Sequence, residues 1–169
     1  MRCAGNGTVG SNPTLSATKL QQFKTQTVMI EVDHGYLDPN WVELVKTASQ
    51  AKNNAYCPYS QFQVGAALLC VNGEIVAGAN VENAAYGSTI CAERSALVAA
   101  NSRGLRDFKR LVVSVVGEIA APCGACRQVL HEFSSVSGLE LEILLHGEAK
   151  NTYRLTTISE LLPHGFDFR

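Results

Sequence analysis

From residue 38 onward, apolar and polar positions alternate between two rhythms. Trp41, Leu44, Val45, Ala48, Ala51 and Ala55 recur at three- and four-residue spacing, which predicts a helix with one inward face. Asp38 suits its cap and Pro39 its first turn. Residues 61–71 alternate and then run apolar, Asn72-Gly73 has the chemistry of a two-residue turn, and residues 74–80 return, so an antiparallel hairpin is expected. Residues 91–103 have the Ala, Leu, Glu and Arg content of a second helix, with Ala92, Ala96, Leu97 and Ala99 or Ala100 facing inward and Gly104 as its stop. Residues 111–116 form an apolar, largely β-branched run closed by Gly117, the pattern of a strand covered on both faces. A third helix is expected over 123–133, turning Cys126, Val129, Leu130 and Phe133 inward, with Pro122 just ahead of it. Strands at 139–145 and 151–155 and a short helix at 157–162 complete the series. Strands alternating with helices predict an α/β fold, a three-layer α/β/α sandwich around a mixed sheet of about five strands.

Composition changes this picture mainly at the N-terminus. The chain has 169 residues and 46% hydrophobic content, enough for one domain with a core. Residues 1–27 are dominated by small and polar types with little to bury, which predicts a disordered or spurious extension ahead of a domain at 28–169. Gly10-Ser11-Asn12-Pro13-Thr14 is what the nucleotides GGTTCGAATCCCACC encode, a string like the end of a bacterial transfer-RNA gene, and on that reading Met29 is the native start. Fourteen basic and fifteen acidic residues leave a net charge of −1 without a basic stripe, which argues against nucleic acid as a partner. No run of membrane-spanning length and no secretory order of charges and apolar residues is seen, so a soluble, cytoplasmic protein is expected. In that compartment the clustered members of the six cysteines read as metal ligands, not disulfides.

The clusters are Cys91-Ala92-Glu93 and Pro122-Cys123-Gly124-Ala125-Cys126. Zinc takes thiolates in a tetrahedron, and a catalytic site leaves its fourth position to water. Cys91, Cys123 and Cys126 would leave that position free for one zinc ion per chain. Glu93, two residues past the first ligand, suits a general acid/base that moves protons beside the metal. Both ligand groups fall at predicted helix starts, where the helix dipole favours thiolates. Three thiolates on a divalent ion sum to −1, and the adjacent cations are Arg94 and Arg127. Arg94 is expected to donate hydrogen bonds to ligand sulfur and withdraw charge. Cys57 and Cys70 read as small apolar fillers. None of the four histidines (34, 131, 146, 164) falls at a motif position.

Cys-Ala-Glu followed by Pro-Cys-x-x-Cys resembles the zinc-deaminase signature. The likeness extends through Cys57-Pro58-Tyr59-Ser60, Phe62-Gln63-Val64-Gly65-Ala66-Ala67, Asn80-Val81-Glu82-Asn83-Ala84, Tyr86, Arg94, Arg127-Gln128 and Leu161-Leu162-Pro163, in that family's order. Over residues 36–166 the chain resembles the small, homotetrameric, zinc-dependent cytidine deaminases. The resemblance implies hydrolytic deamination of cytidine and 2′-deoxycytidine at C4, with release of ammonia, in pyrimidine salvage. It gives Glu93 the protonation of ring N3 and of the leaving ammonia, and Asn80 and Glu82 the ribose hydroxyls. Phe62 would pack on the base, and the Ala92 N–H would bind the ring carbonyl. Tyr86 and Phe166 match residues contributed by neighbouring subunits of a tetramer. A carboxylate at Glu82 repels phosphate, which favours a free nucleoside. Tyr86-Gly87-Ser88-Thr89 departs from the family's Tyr-Pro-Leu-Gly, the segment before Pro122 is shorter than in many relatives, and Ala121 replaces a frequent Ser or Thr. A non-catalytic zinc-stabilised binding domain would instead call for a fourth protein ligand. An antibiotic cytosine nucleoside is a further substrate the same scaffold could take.

Overall fold

The computed structural model describes residues 29–168, so the expectations for residues 1–27 and for Cys3 lie outside the described residues. Along the chain run β1 (Ile30–Val32), α1 (Pro39–Ala51), β2 (Val64–Cys70), β3 (Ile75–Ala79), α2 (Ala92–Ser102), β4 (Phe108–Val115), α3 (Gly124–Ser137), β5 (Glu142–Gly147), β6 (Thr152–Thr157) and α4 (Ile158–Leu161). One-turn 3-10 segments at His34–Tyr36, Lys52–Asn54 and Tyr86–Ser88 join them.

The strands form one six-stranded mixed sheet in the order β1-β6-β5-β4-β2-β3. Only β4 and β5 run parallel, with α3 as their crossover, and the other neighbours are antiparallel. About five strands were expected, and the sixth is β1. Three residues, two of them exposed, are too few for a period-two pattern, and β1 is defined by its pairing to β6. In the β2–β3 hairpin Gly73 adopts φ 91°, backbone that an L side chain rarely takes.

Helices cover both faces of the sheet, which makes the three layers. Asp38 caps α1 by accepting from the N–H groups of Asn40 and Trp41 at 2.9 and 3.1 Å. That helix buries Trp41, Leu44, Val45 and Ala48 against Ala67, Val112 and Leu144. On the opposite face α2 and α3 bury Ala92, Ala96, Leu97 and Leu130 against Leu68, Leu111, Val113 and Leu145. The consecutive residues Leu111 and Val112 are each fully buried on opposite faces, as the apolar run at 111–116 predicts. Each such side chain contributes roughly 1.5–3 kcal/mol through removal from water.

Two helix ends differ from expectation. The first helix stops at Ala51 and tightens into the 3-10 turn over Lys52–Asn54, so Ala55 falls outside its apolar stripe. There Lys52 is buried and paired with Glu148. The third helix runs one turn beyond Phe133 to Ser137, and Gly138 ends it. The chain leaves β3 through residues 80–90 into α2, and leaves β4 through residues 116–123 into α3. The two helices touch on one face of the sheet.

Candidate active site

Asn80 and Glu82 organise the loops that lead into α2. The Asn80 side chain accepts from the Val64 N–H and donates to the Phe62 carbonyl, both at 2.9 Å. This ties the end of β3 to the start of β2 and leaves one N–H of its amide. Glu82 Oε2 accepts from the N–H groups of Tyr59 and Ser60 at 2.9 and 3.2 Å, while Oε1 accepts from the Ser60 hydroxyl at 2.5 Å. The Ser60 hydroxyl, followed by those N–H groups, holds the Glu82 carboxyl below its ordinary range. The segment after Glu82 returns so that Val81 and Ile90 exchange backbone hydrogen bonds at 2.8 and 2.9 Å, which delivers Cys91 to the head of α2.

Cys91 and Cys123 occupy equivalent places, each the N-cap of its helix in extended backbone with no side-chain cap bond. Their sulfurs lie 3.9 Å apart, and with Cys126 all three lie within 4.8 Å of one another. Tetrahedral zinc with bonds of about 2.3 Å requires sulfurs about 3.8 Å apart, so the donor set fits the metal in type and spacing. Among the described residues no fourth ligand joins the cluster.

Charge within the cluster is unevenly distributed. Cys91 is pulled down to about 5, first by the hydrogen bond from the Cys126 thiol and then by those from Arg94 and Cys123. The same contact and burial push Cys126 up, because two adjacent sulfurs resist carrying charge together without a cation. Arg94 Nη2 donates to the Thr89 carbonyl at 2.9 Å and lies 3.8 Å from Cys91 Sγ. Glu93, in the first turn of α2, is only 4% exposed. Burial raises its carboxyl, with the Cys91 charge acting in the same direction.

Other candidates stand further out. Arg127 donates to the carbonyls of Pro122 and Leu161 at 2.8 and 3.1 Å, tying the residue before Cys123 to the end of α4. Ala92 is buried as the first residue of α2, where the backbone N–H has no partner within the helix. Phe62 is partly exposed, and the rings of Tyr86 and Phe166 are 84% and 68% exposed. The bond from Ser60 to Glu82 and a clamp between Gln128 and Phe166 have no local signature, although Ser60 and Gln128 both lie in the deaminase-like motifs. His146 is buried, with its Nδ1 3.0 Å from the Ser114 hydroxyl, apart from the cysteine cluster as its motif-free position suggests.

Residues 40–138 match the profile of the cytidine and deoxycytidylate deaminase zinc-binding region. A cytidine deaminase from Halalkalibacterium halodurans is 48% identical over 124 residues, spanning 73% of this chain and 91% of that protein. The crystal structure of cytidine deaminase from Burkholderia pseudomallei superposes with a TM-score of 0.68 at 39% identity, covering 80% of this chain and all of the other. That from Mycobacterium tuberculosis gives 0.64 at 39% identity, over 78% of this chain and 100% of that one. The matched span includes the positions of all three cysteines, Glu93, Asn80 and Glu82. This chain belongs to the cytidine and deoxycytidylate deaminase family.

Proposed function

We propose that the protein hydrolyses cytidine and 2′-deoxycytidine to uridine and 2′-deoxyuridine, releasing ammonia, as a step of pyrimidine salvage. The observation that carries this reading is a buried carboxyl, Glu93, beside a three-cysteine cluster with no fourth protein ligand among the described residues. Zinc held by Cys91, Cys123 and Cys126 would supply Lewis acidity toward water at the position those ligands leave free. Water adds to C4 of the ring, and the Glu93 carboxylate takes a proton from it and delivers that proton to N3. A second proton, from the hydroxyl now on C4, passes through Glu93 to the amino nitrogen, the C4–N bond breaks and ammonia leaves. Burial favours the protonated carboxyl that this relay passes through between taking each proton and delivering it.

Other residues of the chain bind and orient. The unpaired N–H of Ala92 is offered to the ring carbonyl. The remaining amide N–H of Asn80 and the free lone pair of Glu82 suit ribose hydroxyls, and the Phe62 ring suits the face of the base. Glu82 disfavours a phosphate at the ribose, which points to free nucleosides. Arg94 moderates thiolate charge, and Arg127 holds the Cys123 approach to α4. We infer a homotetramer in which Tyr86 and Phe166 complete a neighbour's site, supported by the exposure of both rings. A cytoplasmic location is supported by Cys57 and Cys70, free thiols outside the cysteine cluster. No helix of the described residues is long and apolar enough to cross a membrane. We take residues 28–169 as the catalytic domain and residues 1–27 as an extension to it.

The test is the ultraviolet loss of cytidine absorbance with purified protein, alongside the zinc count per chain. Glu93→Ala is expected to keep one zinc and to lower turnover by about 10²–10⁴-fold, the usual contribution of a positioned acid/base. Turnover surviving that replacement would overturn the mechanism.

A further inference from the structure

The helix that starts at the Cys123 and Cys126 pair also docks the segment 163–168. Residues 128, 131 and 135 of α3 share one face, and each meets the segment 163–168. Gln128 Nε2 donates to the Phe166 carbonyl at 2.8 Å, and the Phe166 N–H donates back to Gln128 Oε1 at 3.1 Å. The Ser135 hydroxyl donates to Asp167 Oδ1 at 2.7 Å, and His131 Nε2 lies 3.4 Å from the same oxygen. Gly165 passes so close to the His131 ring that a Cβ there would fall 2.4 Å from it. The main chain of this strap is therefore fixed at several points.

Its aromatic rings are not buried by that fixing. Phe166 and Phe168 remain 68% and 94% exposed and meet each other at 6.5 Å between centroids. Ordering a chain terminus opposes conformational entropy, and here little apolar burial within the chain offsets it. The gain lies in where the Phe166 ring is held.

We propose that Gln128 is a positioning residue, whose paired hydrogen bonds to the main chain of Phe166 set the strap so that its ring enters the active site of a second copy of this chain. The inference rests on the proposed role of Phe166 in a neighbour's site, and adds which side chain places it. Because Gln128 lies five residues past Cys123 and two past Cys126 on the same helix, one rigid element fixes both a chain's own metal ligands and the aromatic it lends.

Gln128→Leu keeps the bulk and removes both bonds. With the zinc-loaded full-length protein, KM for cytidine is expected to rise about fivefold or more, as two lost hydrogen bonds and a loosened ring would give, with kcat within about twofold and zinc unchanged. Deuterium exchange of the C-terminal peptide should accelerate in the same variant. Phe166→Ala is measured beside it, and the double variant should show no larger KM than Phe166→Ala alone. If Phe166→Ala leaves KM unchanged, the trans reading of Phe166 fails and the positioning role falls with it. If Phe166→Ala raises KM while Gln128→Leu does not, the trans reading survives and the positioning role is overturned. Should Gln128→Leu not fold, Gln128→Glu keeps the acceptor for the Phe166 N–H and repels its carbonyl. It should then show a KM between wild type and Phe166→Ala, and a wild-type KM in that variant would also overturn the proposal.

Discussion

The proposed role of Arg94 answers a problem of charge: three thiolates would overcompensate a divalent ion. Its guanidinium reaches Cys91 sulfur and the Thr89 carbonyl from one nitrogen, while the buried Nε has no partner among the described residues. Arg94→Gln removes the charge at similar length. It should weaken zinc retention by about 10–100-fold, the range for residues that orient or tune metal ligands. Competition with a chelator measures this without reference to turnover, and retention equal to wild type would refute the charge-moderating role. Arg94→Lys separates charge from shape, since a lysine keeps the cation and loses the planar fork. At this scale the sequence was informative wherever spacing fixes geometry. Arg94 lies three residues past Cys91 and so shares its side of the helix. Arg127 lies four past Cys123 and has the same opportunity, yet it takes Leu161 O, 34 residues away, as a partner. No local spacing reveals such a partner. Ser60 and Glu82, separated by 22 residues, are a second instance.

Elements were legible in proportion to how much of their structure is local. Asp38-Pro39 marks the start of α1 because capping is chemistry between neighbours, and Asn72-Gly73 marks the hairpin for the same reason. By contrast β1 exists only through β6, and Lys52, which follows the last turn of α1, is occupied by the pair with the distant Glu148. The contact that most directly positions the site is also non-local. A Cβ on Gly78 of β3 would lie 2.3 Å from the Ala96 nitrogen and 2.7 Å from the Ala92 carbonyl, so α2 lies almost on the strand. Backbone cannot yield there as a side chain can. Gly78→Ala should push the head of α2 outward, destabilising the fold by about 1–3 kcal/mol as overpacking does. Because Cys91 caps that helix, zinc content should fall together with the urea midpoint. A variant with both unchanged would show that the helix does not depend on this close approach.

The assembly is the scale at which the sequence speaks only through resemblance, and there Tyr86 and Phe166 are the informative residues. In one chain their rings are among the most exposed large apolar groups, while Glu93, the proposed acid/base, is buried. The proposed site, built from one subunit's Glu93 and another's Phe166, would have a consequence that no single-chain enzyme shares: two damaged proteins could repair each other. Glu93→Gln chains lack the proton relay but still present Phe166. Phe166→Ala chains keep the relay and lose the ring. If the two are mixed one to one, dissociated and reassembled at random, a site needs its own intact Glu93 and a neighbour's intact Phe166, each present half the time. About a quarter of the sites should then be whole, as closed symmetric assemblies with shared sites require. Measured as kcat/KM at low cytidine, the reassembled mixture should exceed the mean of its two parents and approach about one quarter of wild type. Mixing without dissociation should give only that mean. Reassembled material that stays at the mean, at a mass confirming that the chains have exchanged, would mean that each chain completes its site alone and that Phe166 has another task.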